Sequence, residues 1–221
     1  MNNKKGKIIV IEGLDGSSKA TQAEKLCEYL SASGKSFTRL SYPKYDSPSS
    51  ALVKMYLSGE LSQSAAGVNP YAAAAFYAVD RCADYLKSWK DEYESGGLFV
   101  SDRYSTSNAV YQTSKLPRDE WDAFINWLDD FEHDKLGVPR PDIVIYLDMD
   151  VDVSQKLLSK RYAGDDSKKD IHEANVEFLK QCRETALFAA EKLGWKVIRC
   201  DDGENVFSVD DIFSRITNAL K

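Results

Sequence analysis

The strongest constraint on this chain is the stretch Glu12-Gly13-Leu14-Asp15-Gly16-Ser17-Ser18-Lys19-Ala20-Thr21, which directly follows the apolar run Lys7–Ile11. Two glycines let the backbone turn tightly and aim successive N–H groups at one point. From Ser18 to Ala32 the pattern places Ala23, Leu26, Cys27 and Leu30 on one stripe, which predicts a helix whose positive end faces the same point. Strand, glycine loop and helix in that order form an anion cradle, with Gly13, Gly16, Ser17, Ser18, Lys19, Ala20 and Thr21 around it and Lys19 placed to reach a polyphosphate. The loop departs twice from the strict phosphate-binding pattern. Ser18 stands where a second glycine is expected, and Ala20 where a magnesium-binding hydroxyl is expected. A left-handed backbone at Ser18 would cost roughly 1–2 kcal/mol. Thr21 does not replace the missing hydroxyl, because adjacent helix residues point about 100° apart. A water on the metal would, so weaker metal–nucleotide binding is expected.

The runs Leu98–Ser101, Ile143–Leu147 and Lys196–Cys200, and a weaker one at Ser36–Ser41, read as further strands. They are continuously apolar rather than alternating, which predicts a sheet covered on both faces. Helical patterns separate them: Asn69–Glu94, with Asn69 as cap and Pro70 in the first turn, then Pro117–Lys135, Val151–Arg161, Glu173–Leu193 and Ser208–Leu220. Strands divided by helices imply right-handed parallel crossovers and an α/β fold, with ligands at the carboxyl ends of the strands. The polar stretch Tyr162–His172 joins two helices with nothing apolar to bury and reads as a mobile segment at one edge of the site. The whole chain, 1–221, reads as one domain.

Composition narrows the ligand. A net charge of −6 argues against a general nucleic-acid binder, which needs a basic surface, but leaves room for a small anion. No run of 18 apolar residues exists, so no membrane span is expected. The basic start leads only into Ile8–Ile11, too short for a signal-peptide core. Cys27, Cys82, Cys182 and Cys200 are scattered and read as free thiols in a reducing cytoplasm. His133 and His172 lie too far apart to suggest zinc.

Other residues carry chemistry by type and spacing. Asp102 ends a strand beside the loop and suits magnesium or its water shell, while Arg103 offers a planar fork for phosphate oxygens. The same two residues would also make a structural ion pair. Tyr77 and Arg81 share a helix face, a ring to stack beside a guanidinium that donates to a carbonyl, or else a core aromatic next to a surface arginine. Asn108, with donor and acceptor, shares a face with Tyr111. In Tyr42-Pro43-Lys44-Tyr45 the rings can wall a pocket and Lys44 can neutralise phosphate, or the four form a plain turn.

Taken in order, Glu12-Gly13-Leu14-Asp15-Gly16, Tyr42-Pro43-Lys44-Tyr45, Phe76-Tyr77-Ala78-Val79-Asp80-Arg81, Asp102-Arg103-Tyr104-x-x-Ser107-Asn108-x-x-Tyr111-Gln112, Arg140-Pro141-Asp142 and Asp170-Ile171-His172-Glu173 resemble the thymidylate kinases among the P-loop nucleoside monophosphate kinases. The resemblance covers nearly the whole chain. It implies a P-loop NTPase fold, a five-stranded parallel sheet in the order 2-3-1-4-5 with helices on both faces. It implies transfer of a phosphoryl group from Mg-ATP to dTMP, giving ADP and dTDP, and a homodimer packed through helices.

By the same resemblance, Tyr77 stacks on thymine, Arg81 donates to its carbonyl, Tyr111 packs near the sugar 2′ position and Asp15 contacts the 3′-hydroxyl. Tyr42, Tyr45, Arg103, Asn108, Asp170 and Glu173 complete the acceptor site, and Asp102 serves the metal. Lys19, Asp15, Arg103 and Arg161 form the catalytic set. The family places a catalytic arginine after the loop aspartate or in a lid. Here Gly16 follows Asp15, so Arg161 is expected in that role, helped by Lys168 or Lys169. Two alternatives stand beside this reading. One is a kinase for another pyrimidine nucleotide or a deoxynucleoside. The other, motivated by Ser18 and Ala20, is a nucleotide-binding homologue with weak catalysis.

Overall fold

A computed structural model describes residues 5–62, 64, 67–161 and 175–220. Five strands form one parallel sheet: β1 (Lys7–Gly13), β2 (Thr38–Ser41), β3 (Leu98–Asp102), β4 (Ile143–Asp148) and β5 (Lys196–Arg199). Their spatial order is β2-β3-β1-β4-β5, as the resemblance implied. β1 lies at the centre, and its side chains alternate between two cores. Ile8 and Val10 pack on one face with Phe99, Tyr146 and the helices that carry Ala74, Val110, Phe124 and Ala186. Ile9 and Ile11 pack on the other with Leu26, Leu30, Ile212 and Ile216. A strand buried on both sides has no polar alternation, which is why β1 reads as an unbroken apolar run.

The helices are α1 (Lys19–Ala32), α2 (Ala51–Leu57), α3 (Pro70–Asp84), α4 (Lys90–Glu94), α5 (Thr106–Tyr111), α6 (Trp121–Asp129), α7 (Val151–Arg161), α8 (Val176–Leu193) and α9 (Val209–Ala219). The long helix expected over Asn69–Glu94 is continuous but not uniform: a π-helical turn, Tyr85–Trp89, separates α3 from α4. Asn69 caps it as expected, its Oδ1 accepting from Tyr71 N at 2.9 Å. The helix expected over Pro117–Lys135 resolves into a 3-10 turn, α6 and a second π-helical turn, Asp130–Lys135. Gly194, at a φ of 70°, ends α8.

Register brings the strand ends together. Asp102 lies opposite Ile11 of β1 and Ser41 of β2, and Gly13 lies opposite Leu147 of β4. The glycine loop, the Tyr42 turn and the Asp102-Arg103 step therefore meet at one edge of the sheet. The Arg140-Pro141-Asp142 motif lies at the other edge and is structural. Asp142 Oδ2 accepts from Ile8 N at 2.8 Å, and Arg140 pairs with Asp129 and Asp134 on the surface.

Candidate active site

The loop turns as the glycines predicted. A Cβ on Gly13 would come within 2.5 Å of Ser17 Oγ, and Gly16 has a φ of 81°, so neither position tolerates a side chain. Ser18 takes the left-handed conformation, φ 66° and ψ 21°. Lys19 folds over the loop, its Nζ donating to Leu14 O at 2.8 Å and lying 3.5 Å from Asp15 Oδ1. Burial, then the positive charge of Arg103, pulls the Lys19 pKa down from its ordinary value. The concavity in front is lined by the loop from Asp15 to Thr21, by Asp102 and Arg103, and by Leu157 and Leu158 of α7.

A second cavity opens on the other side of the same residues. It is walled by Tyr42, Tyr45 and Tyr77 and floored by Arg81, Asn108 and Tyr111. As their spacing predicts, Tyr77 and Arg81 reach the cavity from α3, and Asn108 and Tyr111 from α5. Asp15 and Arg103 line both cavities and form the partition between them.

That partition is strongly charged. Arg103 Nη2 donates to Asp15 Oδ1, and the Tyr111 hydroxyl donates to Asp15 Oδ2 at 3.0 Å. Burial alone would raise the Asp15 carboxyl, but Arg103 and Lys19 outweigh it and hold the group well below the usual carboxylate range. Burial and Asp15 push the Tyr111 hydroxyl well up, so it remains a donor. Arg103 has a φ of 64°, a left-handed backbone that costs a non-glycine residue roughly 1–2 kcal/mol. Ser101 Oγ, donating to Arg103 O at 2.6 Å, and the Asp15 pair hold it there.

One cation departs from expectation. Lys44 lines neither cavity: its Nζ lies 3.4 Å from Asp84 Oδ2 and 5.5 Å over the Tyr42 ring. Asp80 fixes this turn, Oδ2 accepting from Lys44 N at 2.8 Å, and so aims the side chain at the nearer carboxylate. Asp170, Glu173, Lys168 and Lys169 lie outside the described residues, as does the side chain of Arg161.

The site can now be set against known proteins. The thymidylate kinase family model matches residues 11–208. This chain belongs to the thymidylate kinase family. It is 30% identical to the thymidylate kinase of Mycobacterium tuberculosis strain H37Rv over 201 residues, 88% of this chain and 92% of that one. It is also 30% identical to a probable thymidylate kinase of Thermococcus gammatolerans over 218 residues, 98% and 96% of the two chains. A solved thymidylate kinase from Candida albicans shares the fold with a TM-score of 0.70 at 20% identity, over 98% of this chain and 91% of that one. The architecture is the P-loop NTPase fold.

For a thymidylate kinase, several residues here carried no sequence signal or an incomplete one. Glu12 opens the loop motif without an obvious task. It is fully buried, Oε1 accepting from Gly13 N at 2.9 Å and Oε2 from the hydroxyls of Thr106 and Ser107 at 2.7 Å each, so it fastens α5 to the loop. Tyr104, Ser107, Gln112 and Leu57 also line the second cavity. Gln112 was quoted only as part of a motif, yet its Oε1 is buried with no hydrogen-bond partner among the described residues. Glu132, below Arg81, had no signal beyond its place in an amphipathic stretch.

Proposed function

We propose that the two cavities hold the two nucleotides of one phosphoryl transfer, with Asp15 and Arg103 between them at the point of exchange. Family membership makes the chain a nucleoside monophosphate kinase that phosphorylates dTMP to dTDP. The observation that carries the site assignment is the shared partition: phosphoryl transfer needs donor and acceptor phosphates on either side of fixed cations, and little else from the protein.

The loop concavity takes the ATP phosphates. Its backbone N–H groups, the amino end of α1 and Lys19 would bind them. Released from Leu14 O, Lys19 has a phosphate oxygen as its natural partner. The donor set also fits Mg2+. Asp102 Oδ1 and Ser17 Oγ are both buried without hydrogen-bond partners among the described residues, oxygen groups suited to a hard cation or its waters. When bound, the metal neutralises charge on the transferring phosphate. Ala20 supplies no hydroxyl there.

The second cavity takes dTMP. Tyr77 presents its π-face to the base, while Arg81 and Asn108 present polar groups to its edge. The sugar lies toward Tyr111 and Asp15, and the 5′-phosphate toward Arg103. Arg103 orients the acceptor phosphate and screens its charge from the incoming group. Arg161, with Lys168 or Lys169, and Asp170 with Glu173 are proposed to close the site, on family resemblance alone.

The whole chain would work as one catalytic domain, in a reducing cytoplasm and as a homodimer. The four cysteines are free thiols. No helix among the described residues is long and apolar enough to cross a membrane. A stripe along α3 and its π-helical turn supports the dimer: Ala72, Ala75, Val79, Cys82, Ala83 and Leu86 are half-buried or exposed, with Leu86 59% exposed. The opposite face, Ala73, Ala74 and Ala78, is fully buried, so the alanine run serves the core as well.

The direct test is ADP release with dTMP, dUMP, dCMP, UMP and thymidine as acceptors. The proposal expects dTMP to be used best. Binding of dTMP without ADP formation would refute the catalytic reading, and equal use of UMP would refute the roles given to Tyr111 and Asp15.

A further inference from the structure

Glu132 sits in the π-helical turn Asp130–Lys135 and is fully buried. It does not line the acceptor cavity, but it touches two residues that do. Its Oε2 accepts from Arg81 Nε at 2.8 Å. Its Oε1 accepts from Arg81 Nη2 at 2.6 Å and from Asn108 Nδ2 at 3.0 Å. Burying a carboxylate this deep is costly unless it is paired and hydrogen-bonded. Arg81 supplies the pairing: burial alone would lower its pKa, and Glu132 raises it above the ordinary value.

The consequence falls on the groups left over. Arg81 commits Nε and one N–H of Nη2 to Glu132, and Nη1 carries no hydrogen bond among the described residues, which leaves its N–H groups for a partner in the cavity that Arg81 lines. Asn108 spends Nδ2 on Glu132 and on Ala74 O, each at 3.0 Å. Both of its N–H groups are then used, which leaves Oδ1, an acceptor only. The amide cannot turn over without setting Oδ1 against a carboxylate and a carbonyl, three acceptors with no proton among them. At Arg81 and Asn108 the cavity therefore presents a donor beside an acceptor, with the Asn108 amide held one way round. A 4-keto pyrimidine with a proton on N3 offers the complementary order. A 4-amino pyrimidine offers the reverse, a donor at the 4-position and an acceptor at N3.

We infer that Glu132 is a positioning residue that fixes the orientation of the Asn108 amide and the Arg81 fork, and through them the preference of this cavity for 4-keto over 4-amino pyrimidine nucleotides. The inference rests on Arg81 and Asn108 meeting the base edge. Glu132 itself touches no substrate.

The test is Glu132→Gln, whose side chain both donates and accepts and so removes one of the two acceptors, Glu132 and Ala74 O, that hold the Asn108 amide one way round. The expected result is a fall of about tenfold or more in the ratio of kcat/KM for dTMP over dCMP, carried mainly by KM, with kcat for dTMP held within about threefold. An unchanged ratio, whatever happens to Tm, would reduce Glu132 to a structural pair and overturn the inference. Arg81→Ala and Asn108→Ala separate this from the reading beneath it. If they abolish dTMP binding while Glu132→Gln leaves the ratio alone, only the positioning role fails. If they leave dTMP binding intact, the base-edge reading fails. Should Glu132→Gln not fold, the Asn108 side-chain amide of the wild-type protein decides by NMR. Its protons should be protected without ligand and stay so on adding dTMP. Protection gained only with dTMP would overturn the inference.

Discussion

The Tyr111 hydroxyl donates to Asp15 Oδ2 at 3.0 Å while Arg103 holds the other oxygen of the same carboxylate. One half-buried side chain thus ties α5, the end of β3 and the phosphate loop together. The two cavities cannot shift independently, because their common wall is this carboxylate and its partners.

Tyr111→Phe removes the hydroxyl, and with it the hydrogen bond to the charged Asp15 acceptor, and leaves the ring. Such bonds contribute about 1.5–3 kcal/mol, so urea denaturation should show a loss in that range. Asp15 keeps Arg103 and Lys19, so the fold should survive. The loosened carboxylate should raise KM for dTMP more than it lowers kcat. An unaltered midpoint and unaltered KM would mean that the bond contributes nothing to the acceptor site.

Lys19→Ala tests the loop. Lys19 lines the concavity, so water entering the space it leaves can take the place of Nζ at Leu14 O. The variant should therefore fold, with a thermal midpoint close to the parent's. Turnover should fall by about 10²–10³-fold or more, the usual cost of deleting a charge-stabilising donor from a transfer site. A fully active variant would show that phosphate is bound elsewhere.

Ser18→Gly addresses the left-handed residue at the start of α1. Removing the Cβ relieves roughly 1–2 kcal/mol of backbone cost. The added freedom of the unfolded chain takes back roughly 0.5–1 kcal/mol. A net gain of about 0.5–1 kcal/mol is expected in equilibrium unfolding. Ala20→Thr, at an exposed position facing the same concavity, should tighten Mg-ATP in calorimetry; no change would mean that water already fills that place on the metal.

The residues of the partition and loop were legible because each follows a strand directly and acts near its own place in the chain. Asp15, Lys19 and Arg103 fall into that class; the loop pattern raised a left-handed Ser18 only as a condition, and its φ of 66° meets it. The double-faced burial of β1 was legible for a related reason: a run apolar at every position has no solvent side. Glu132 was not legible. It is one acid in an amphipathic stretch, and its partner Arg81 lies 51 residues away, a relation made only by packing. Lys44 misled for the opposite reason. Its type suited a phosphate, but its ammonium pairs with Asp84 while Asp80 holds its backbone N–H. The break in the long helix at Tyr85–Trp89 has no marker such as proline or glycine in that stretch, so periodicity alone reads straight through it.

Lys115 supplies a pH test that does not involve the reacting groups. Its Nζ donates to the Tyr56 hydroxyl at 2.7 Å and lies 4.9 Å over that ring, and burial pushes its pKa down to about 8. In the unfolded chain the same ammonium titrates near its ordinary value of about 10.4. Below about pH 8 both states carry the proton, and the folded state bears the full cost of burying it. Between about pH 8 and 10.4 the unfolded state holds more protons, so stability from this group rises with pH. Urea unfolding of the wild type and of Lys115→Met at several pH values across that window isolates the effect, since other titrations cancel in the difference. The wild type should gain on the variant as pH rises, by about 3 kcal/mol across the window. A difference that stays flat would show that Lys115 keeps an ordinary pKa in the folded state.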